Sequence, residues 1–323
     1  MDEHRPAAGH IGLGALHCLF PERLLPVGEV DPEADEDFLR ACGAQTVGVI
    51  PGLSQGDLAA ESCRRLLSAD DRPIDVLLHV AGRAPDTLLG SDATKIQHEA
   101  KMPARMALTV DGLGCVGSSA AWGLARDLLL ADPGRERILV THGSKPTGRL
   151  RVRPPVTVVG DGAFAMTLVR GGRPYLESHA LETDGSYHDL FRVDYKRVAW
   201  HGWVEECADP ARYTFELALE SRRRLSGLTE RVLQAASVTL QDVKAVLMQN
   251  VSVRAFDFYS DLLGVPVHPV CRAMFERYGH LGAMDVVANL DALLKSPDVS
   301  TGDRVLVLNN SASAAWSVSL WRV

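Results

Sequence analysis

Along this chain, short apolar runs alternate with longer stretches in which apolar residues return every third or fourth position. The first pattern predicts buried strands, and the second predicts helices with one face toward a core. "DVLLHVAG" (75–82) and "ERILVTHGS" (136–144) read as buried strands. Each follows a helix, "GDLAAESCRRLLSA" (56–69) and "SSAAWGLARDLLLAD" (118–132). "PVTVVGDGAFAMTLVRGG" (155–172) reads as two strands joined across a Gly-Asp-Gly turn, because glycine takes backbone angles that other residues resist. The second half repeats the texture. "ELALESRRRLSGLTERVLQAA" (216–236) is helical and "VKAVLMQNVS" (243–252) is a strand running into a polar end. "RAFDFYSDLLG" (254–264) and "MDVVANLDALLKS" (284–296) are helices, and "DRVLVLNNSASAAWSVSLWRV" (303–323) is two strands around a small-residue turn. Recurring helix–strand units predict an α/β layered fold of two similar lobes, divided near residues 170–180. The period is far longer than that of a solenoid repeat.

Composition narrows the function classes. With 323 residues, 46% of them hydrophobic and 23% charged, the chain has the balance of a soluble globular protein with a large core. A net charge of −7 gives no reason to expect nucleic acid or an anionic membrane as partner. No apolar run reaches the ~18–20 residues of a membrane span. "MDEHRPAAGH" lacks the apolar core of a signal peptide, so a cytoplasmic protein is expected. Six cysteines without CxxC pairing argue against zinc sites and a disulfide framework. Eleven histidines without HExxH-like spacing point the same way, so neither a metal nor a cofactor is expected.

Two stretches carry candidate chemistry. In "TVDGLGCVGSSAAWGLARDLL" (109–129) a β-like run ends in glycines, then Cys115, then small residues and a helix. Unpaired N–H groups and the dipole at a helix start favour thiolate over thiol, and the thiolate is the nucleophile. The same pattern also suits a small buried hydrophobe at a tight strand–helix junction. In "YGHLGAMDVVANL" (278–290), His280 stands on a glycine step and Asp285 follows five positions later. Either they are a catalytic pair, or His280 is a core histidine and Asp285 an acid in a first helical turn.

The elbow around Cys115 resembles the active-site elbow of the ketoacyl-ACP synthase III (KAS III) family, which has the thiolase fold. Other landmarks follow in that family's order. They are "IGLGALHCLFPERLLPVGEV" (11–30), "SDATKIQHEAKMPARMALTV" (91–110), "VVGDGAFAMTLV" (158–169) and the terminal strands "GDRVLVLNNSASAAWSVSLWRV" (302–323). The resemblance implies a five-layered αβαβα architecture of two pseudo-duplicated halves with the active site between them, and a homodimer. Residues 1–172 would carry the nucleophile and residues 173–323 the His/Asp pair.

Condensing members of the family use a Cys-His-Asn triad, with the histidine in a His-Gln-Ala-Asn segment. Here that place reads "VLMQNVSVRAF" (246–256), so Met248 or Gln249 stands at the histidine position and neither is a base. The family's Gly-Asn step is here Gly279-His280. This pattern resembles the Cys-His-Asp acyltransferases of antibiotic and polyketide pathways. Loss of the His-Asn donor pair removes the obvious means of stabilising an enolate. A histidine oriented by a carboxylate instead suits activation of an O–H or N–H nucleophile. The resemblance implies an oxyanion hole from the backbone N–H groups of Cys115 and Ala312, in a turn where condensing members have three glycines.

CoA-using relatives carry an early tryptophan and arginine, whereas "DEDFLRACGAQTVGVIPGL" (35–53) has Phe38 near the tryptophan place and no Arg-rich turn. That favours an acyl carrier protein over acyl-CoA as donor. In "GRLRVRPP" (148–155), Arg153, with Arg151, is a candidate contact for a phosphopantetheine phosphate or an acidic carrier helix. Unaided, the same alternation reads as a solvated strand face. "SRRRLSG" (221–227) reads as exposed helix surface, and "RVAWHGWVEE" (197–206) as core or pocket wall. Three functions stand: acyl transfer from a thioester to a hydroxyl or amine of a small natural-product acceptor such as a sugar or cyclitol, a starter-unit condensing enzyme or carrier-to-carrier shuttle, and a non-catalytic binding partner with the same fold.

Overall fold

The computed structural model describes residues 9–323, so the polar N-terminal stretch read above lies outside the described residues up to position 8. Nine strands form the main sheet: β1 (Ile11–Leu19), β2 (Val76–Val80), β3 (Met106–Val110), β4 (Arg137–Ser144), β5 (Gly162–Arg170), β6 (Tyr175–Thr183), β7 (Ala245–Met248), β8 (Arg304–Ser311) and β9 (Ala315–Arg322). The helices are α1 (Glu36–Cys42), α2 (Gln55–Ala69), α3 (Asp92–Glu99), α4 (Gly117–Ala131), α5 (Ala218–Ala235), α6 (Val253–Leu263), α7 (Pro269–Tyr278) and α8 (Asp285–Leu294). The strand order is β7-β8-β9-β6-β1-β5-β4-β2-β3.

The pairing repeats. In the first half β2 runs parallel to β4, β4 antiparallel to β5, and β5 antiparallel to β1. In the second, β7 runs parallel to β8, β8 antiparallel to β9, and β9 antiparallel to β6. The register pair Gly12↔Tyr175 joins the two sets. Inner strands covered on both faces read as continuous apolar runs; every residue of β2, β4 and β7 is buried.

Helices complete five layers. α2 packs on β1, β4 and β5, and α3 on β2 and β3. α4 lies against β2, β4 and β5 on one side and β6 and β9 on the other. α8 touches β7 and β8 as well as β1, and α5 covers β6 and β9. The order is helix, first strand set, helix, second strand set, helix: the thiolase-like fold with two pseudo-duplicated halves. Because α4 and α8 precede equivalent strands, their N-termini meet in the middle. Cys115 precedes one and Asp285 begins the other.

A helix between two sheets needs small residues where backbones crowd and large ones to fill the gaps. A Cβ on Gly117 would stand 2.6 Å from Val80 Cγ1. Trp122 is fully buried, donates from Nε1 to Ser319 Oγ at 3.0 Å and meets Trp321 edge-on at 5.3 Å. Burial of Leu129 on the same helix contributes about 1.5–3 kcal/mol.

Two expectations are corrected. The Gly-Asp-Gly segment is not a hairpin turn: Thr157–Val158 pairs with Val152–Arg153, while β5 lies between β1 and β4. Its glycine serves close approach, because a Cβ on Gly160 would fall 2.0 Å from the Tyr278 carbonyl oxygen. "SRRRLSG" is only partly surface. Arg224 turns inward, pairs with Glu182, Asp184 and Glu220, and lies over the Trp316 ring. No helix among the described residues is long and apolar enough to cross a membrane.

Candidate active site

Cys115 sits in a short 3-10 turn, Gly114–Val116, that runs directly into α4. Gly114, at φ +53°, makes the left-handed step that turns the chain into the helix. The first N–H groups of such a turn have no intrahelical acceptor. Asn309, fully buried on β8, donates from Nδ2 to the Cys115 carbonyl at 2.9 Å and to Ser119 Oγ at 3.0 Å, which anchors the elbow to the second half.

His280 follows the end of α7 at Gly279. Its N–H donates to Val158 O at 2.8 Å, and its carbonyl accepts from Gly160 N–H at 2.9 Å. The Gly-Asp-Gly segment therefore clamps the histidine backbone. Asp285 is the first residue of α8, reached after the 3-10 turn Gly282–Met284. His280 Nε2 is 3.2 Å from Cys115 Sγ, and His280 Nδ1 is 2.6 Å from Asp285 Oδ2. The Asp285 carboxylate also accepts from Leu281 N–H at 2.8 Å and Asn250 N–H at 2.9 Å. The imidazole thus has one nitrogen fixed to a carboxylate and the other turned to sulfur.

Burial disfavours charge on both reacting groups, and their neighbours outweigh it. Burial alone would push His280 down, but Asp285 and the Cys115 sulfur raise it to about 9. Burial alone would push the thiol up, but His280, by charge and by hydrogen bond, and then Arg83 bring it below its ordinary value. Each group thus stabilises the charged form of the other.

The place where condensing relatives carry histidine holds no base. Met248 is buried at the end of β7, and Gln249 pairs its amide with Asn310, accepting from that residue's N–H at 3.2 Å. Next to them Asn289 Nδ2 donates to Met248 O at 2.7 Å and to Asn250 Oδ1 at 2.8 Å. This amide network fixes the Asn250 N–H that faces Asp285.

The 3-oxoacyl-[acyl-carrier-protein] synthase III C-terminal family matches residues 233–323. The beta-ketoacyl-[acyl-carrier-protein] synthase III of Gloeobacter violaceus is 26% identical over 311 residues, covering 92% of each chain. That of Alkalilimnicola ehrlichii is 25% identical over 291 residues, 85% of this chain and 86% of the relative. Among solved structures, the acyltransferase ChlB3 superposes with a TM-score of 0.82 at 20% identity, covering 97% of this chain and 98% of its own. The 3-oxoacyl-(acyl carrier protein) synthase III of Pseudomonas aeruginosa gives 0.77 at 17%, with coverages of 97% and 98%. The chain is a KAS III-like transferase.

Cys115 and His280 open on a cavity of about 790 Å³. Ser311, Ala312 and Ser313, in the turn after β8, line it too, and a Cβ on Gly114 would lie 3.3 Å from Ser311 Cβ. The residue expected as second oxyanion donor therefore shares a wall with the elbow of this KAS III-like chain. Ser313 N–H donates to Ser311 Oγ at 3.2 Å, which shapes the turn without glycine.

Arg151 and Arg153, expected as donor contacts, stand in different settings. Arg151 does not line the cavity; it donates to Asp161 Oδ1 at 2.8 Å and to the Val159 carbonyl. Arg153 faces the cavity but is already paired with Glu205. Neither stands free on a solvated strand, because each meets a carboxylate delivered by tertiary folding. Asn250, Asn289 and Asn309 escaped the sequence reading, as did Arg83, His142 and Glu205 in the cavity wall. The one signal for Glu205 was its place at the end of the aromatic segment 197–206.

Proposed function

We propose that the chain transfers an acyl group from a thioester to a hydroxyl or amine of a small acceptor such as a sugar or cyclitol, as a Cys-His-Asp variant of the KAS III-like enzymes. The observation that carries this is the continuous Sγ–imidazole–carboxylate chain, 3.2 Å and then 2.6 Å, beside a Gln249 that cannot act as a base. The name acyltransferase given to ChlB3, a neighbour of the same fold, supports it.

The cycle closes in protons. Cys115 thiolate attacks the thioester carbonyl, the carrier thiolate leaves, and His280 imidazolium gives it a proton. Neutral His280, held by Asp285, then takes the proton of the acceptor O–H as its oxygen attacks the acyl-cysteine. Collapse expels Cys115 thiolate next to the re-formed imidazolium. The N–H groups of Cys115 and Ala312 would hold the oxyanion in both halves. On this reading residues 1–172 supply the nucleophile and residues 173–323 the base. An acyl carrier protein or CoA supplies the acyl group, and the homodimer implied by the family belongs to the same proposal, tested by light scattering.

The alternative, starter-unit condensation, needs donors for an enolate oxygen that Met248 and Gln249 do not replace. The deciding experiment loads Cys115 with an acyl thioester, confirms the adduct by intact mass, and offers either a hydroxyl acceptor or a malonyl thioester. Transfer to oxygen without CO₂ release is expected. A decarboxylated C–C product formed at the rate of turnover would replace transfer by condensation.

A further inference from the structure

One wall of the cavity carries a charge cluster that the cycle above leaves unused. Arg83 follows β2, and Arg153 ends the short strand Val152–Arg153. Both reach Glu205: Arg83 Nη1 lies 3.0 Å from Oε1, and Arg153 Nη2 pairs with Oε2. Thr147 Oγ1 donates to the same carboxylate at 2.5 Å. The three charged side chains are 16%, 11% and 14% exposed, and all line the cavity with Cys115.

Two guanidiniums share one carboxylate, so one positive charge is left over. The Nε atoms of both arginines are buried without a hydrogen-bond partner. Unpaired buried donors and an uncompensated buried charge are both costly, so their presence calls for a partner. Burial and then the charge of Arg83 lower Arg153 to about 10, which leaves it protonated at neutral pH. Burial would raise Glu205, but Arg83 and then Arg153 hold it below the usual range. The wider wall has the same sign: Arg83, Arg153 and Arg254 against Asp111 and Glu205, with Arg192 paired to Glu206, in a chain whose net charge is −7. Cys115 thiolate is a further anion on the same wall. It is already paired with His280, and acylation abolishes it while the surplus charge stays.

We infer that Arg83 and Arg153 form a binding site for a carboxylate carried by one of the two substrates. The inference rests on Cys115 as the acyl-bearing thiol and adds a substrate class. A surplus of one charge matches a monoanion, and a guanidinium presents parallel donors to a carboxylate. The carboxylate belongs either to the acyl unit or to the acceptor.

The test compares alkylation of Cys115 by iodoacetate and by iodoacetamide, followed by intact mass at constant ionic strength. These reagents differ in the carboxylate and need no acyl transfer, so the readout is independent of the proposed function. The iodoacetate-to-iodoacetamide rate ratio should exceed that of glutathione on the order of 10- to 100-fold, as hydrogen bonds to a charged group allow. Arg83→Met and Arg153→Met should each lower the ratio. Should either variant misfold, the wild type decides alone: acetate should protect Cys115 from iodoacetamide saturably, and equal chloride should not. A wild-type ratio equal to that of glutathione, a ratio unchanged in both folded variants, or protection no better than chloride's would overturn the site. Two further comparisons locate the carboxylate. Faster acylation by the glutaryl thioester of N-acetylcysteamine than by its monoamide assigns it to the acyl unit. Equal acylation, but faster deacylation by a hydroxy acid than by its amide, assigns it to the acceptor. A preference at neither step refutes the inference.

Discussion

The proton shared by Cys115 and His280 is governed by burial and charge acting in opposite directions. The thiol lies below its ordinary value of 9.0 in the folded state, and the imidazole is raised to about 9. Each group therefore favours the charged form of the other, so the thiolate forms more readily beside the imidazolium than it would without it. Iodoacetamide alkylation of Cys115 should then show its main inflection below 9.0. In His280→Ala the largest counter-charge disappears, burial dominates, and the inflection should move up; a downward or absent shift would contradict the pairing. Cys115→Ala should abolish the acyl adduct and leave the fold intact, checked by mass spectrometry and circular dichroism. His280→Ala should slow release of the acyl group to acceptor roughly 10²–10⁴-fold in single-turnover assays, the ordinary range for general-base catalysis. Asp285→Asn should lose a comparable or smaller factor, through a misoriented imidazole.

Helices and strands decide which of these residues the sequence could reveal. Cys115 and His280 were legible because each stands at a glycine step next to a helix, and Asp285 because it opens one. The asparagines were not. Asn250, Asn289 and Asn309 lie far apart in the chain and become partners only when β7, α8 and β8 pack, so locally they resemble polar ends of strands and helices. The ion pairs of Arg151 and Arg153 were not legible for the same reason, since Asp161 and Glu205 arrive from other segments. The Gly-Asp-Gly segment looked like a turn because close backbone approach and a positive φ favour the same residue. The amide network also gives a prediction at this scale. Asn289→Leu should leave the Met248 carbonyl and the Asn250 amide without a partner, at about 1–3 kcal/mol for each. The urea midpoint should fall accordingly. Because Asn250 N–H orients Asp285, transfer from acyl-Cys115 should slow more than its acylation; equal slowing would make the network purely structural.

The whole molecule sets which donor can reach Cys115. A CoA ester differs from a carrier-bound thioester of the same acyl group mainly by its adenosine phosphates, which need cations or stacking near the entrance. The residues expected for these contacts are not in place here. Phe38 on α1 is packed against the core and does not line the cavity. Arg151 is held by Asp161, so recruiting it to a nucleotide phosphate would break a largely buried ion pair, and Arg153 shares Glu205 with Arg83 on the wall that also holds Cys115. A carrier protein asks for none of these contacts, because it delivers the same pantetheine arm from a docked domain. We therefore expect kcat/KM for the carrier-bound thioester to exceed that for the CoA ester about 10-fold or more, a difference of about 1.4 kcal/mol. Side-by-side kinetics with one acyl group on both donors measure it directly. Removing the pairing carboxylate tests the reason: Asp161→Asn frees Arg151, and if a competing ion pair is what denies CoA its phosphate contact, the CoA ester should gain relative to the carrier. A wild-type preference for CoA would instead mean that cations elsewhere on the surface take the phosphates, and the carrier would lose its place as the favoured donor.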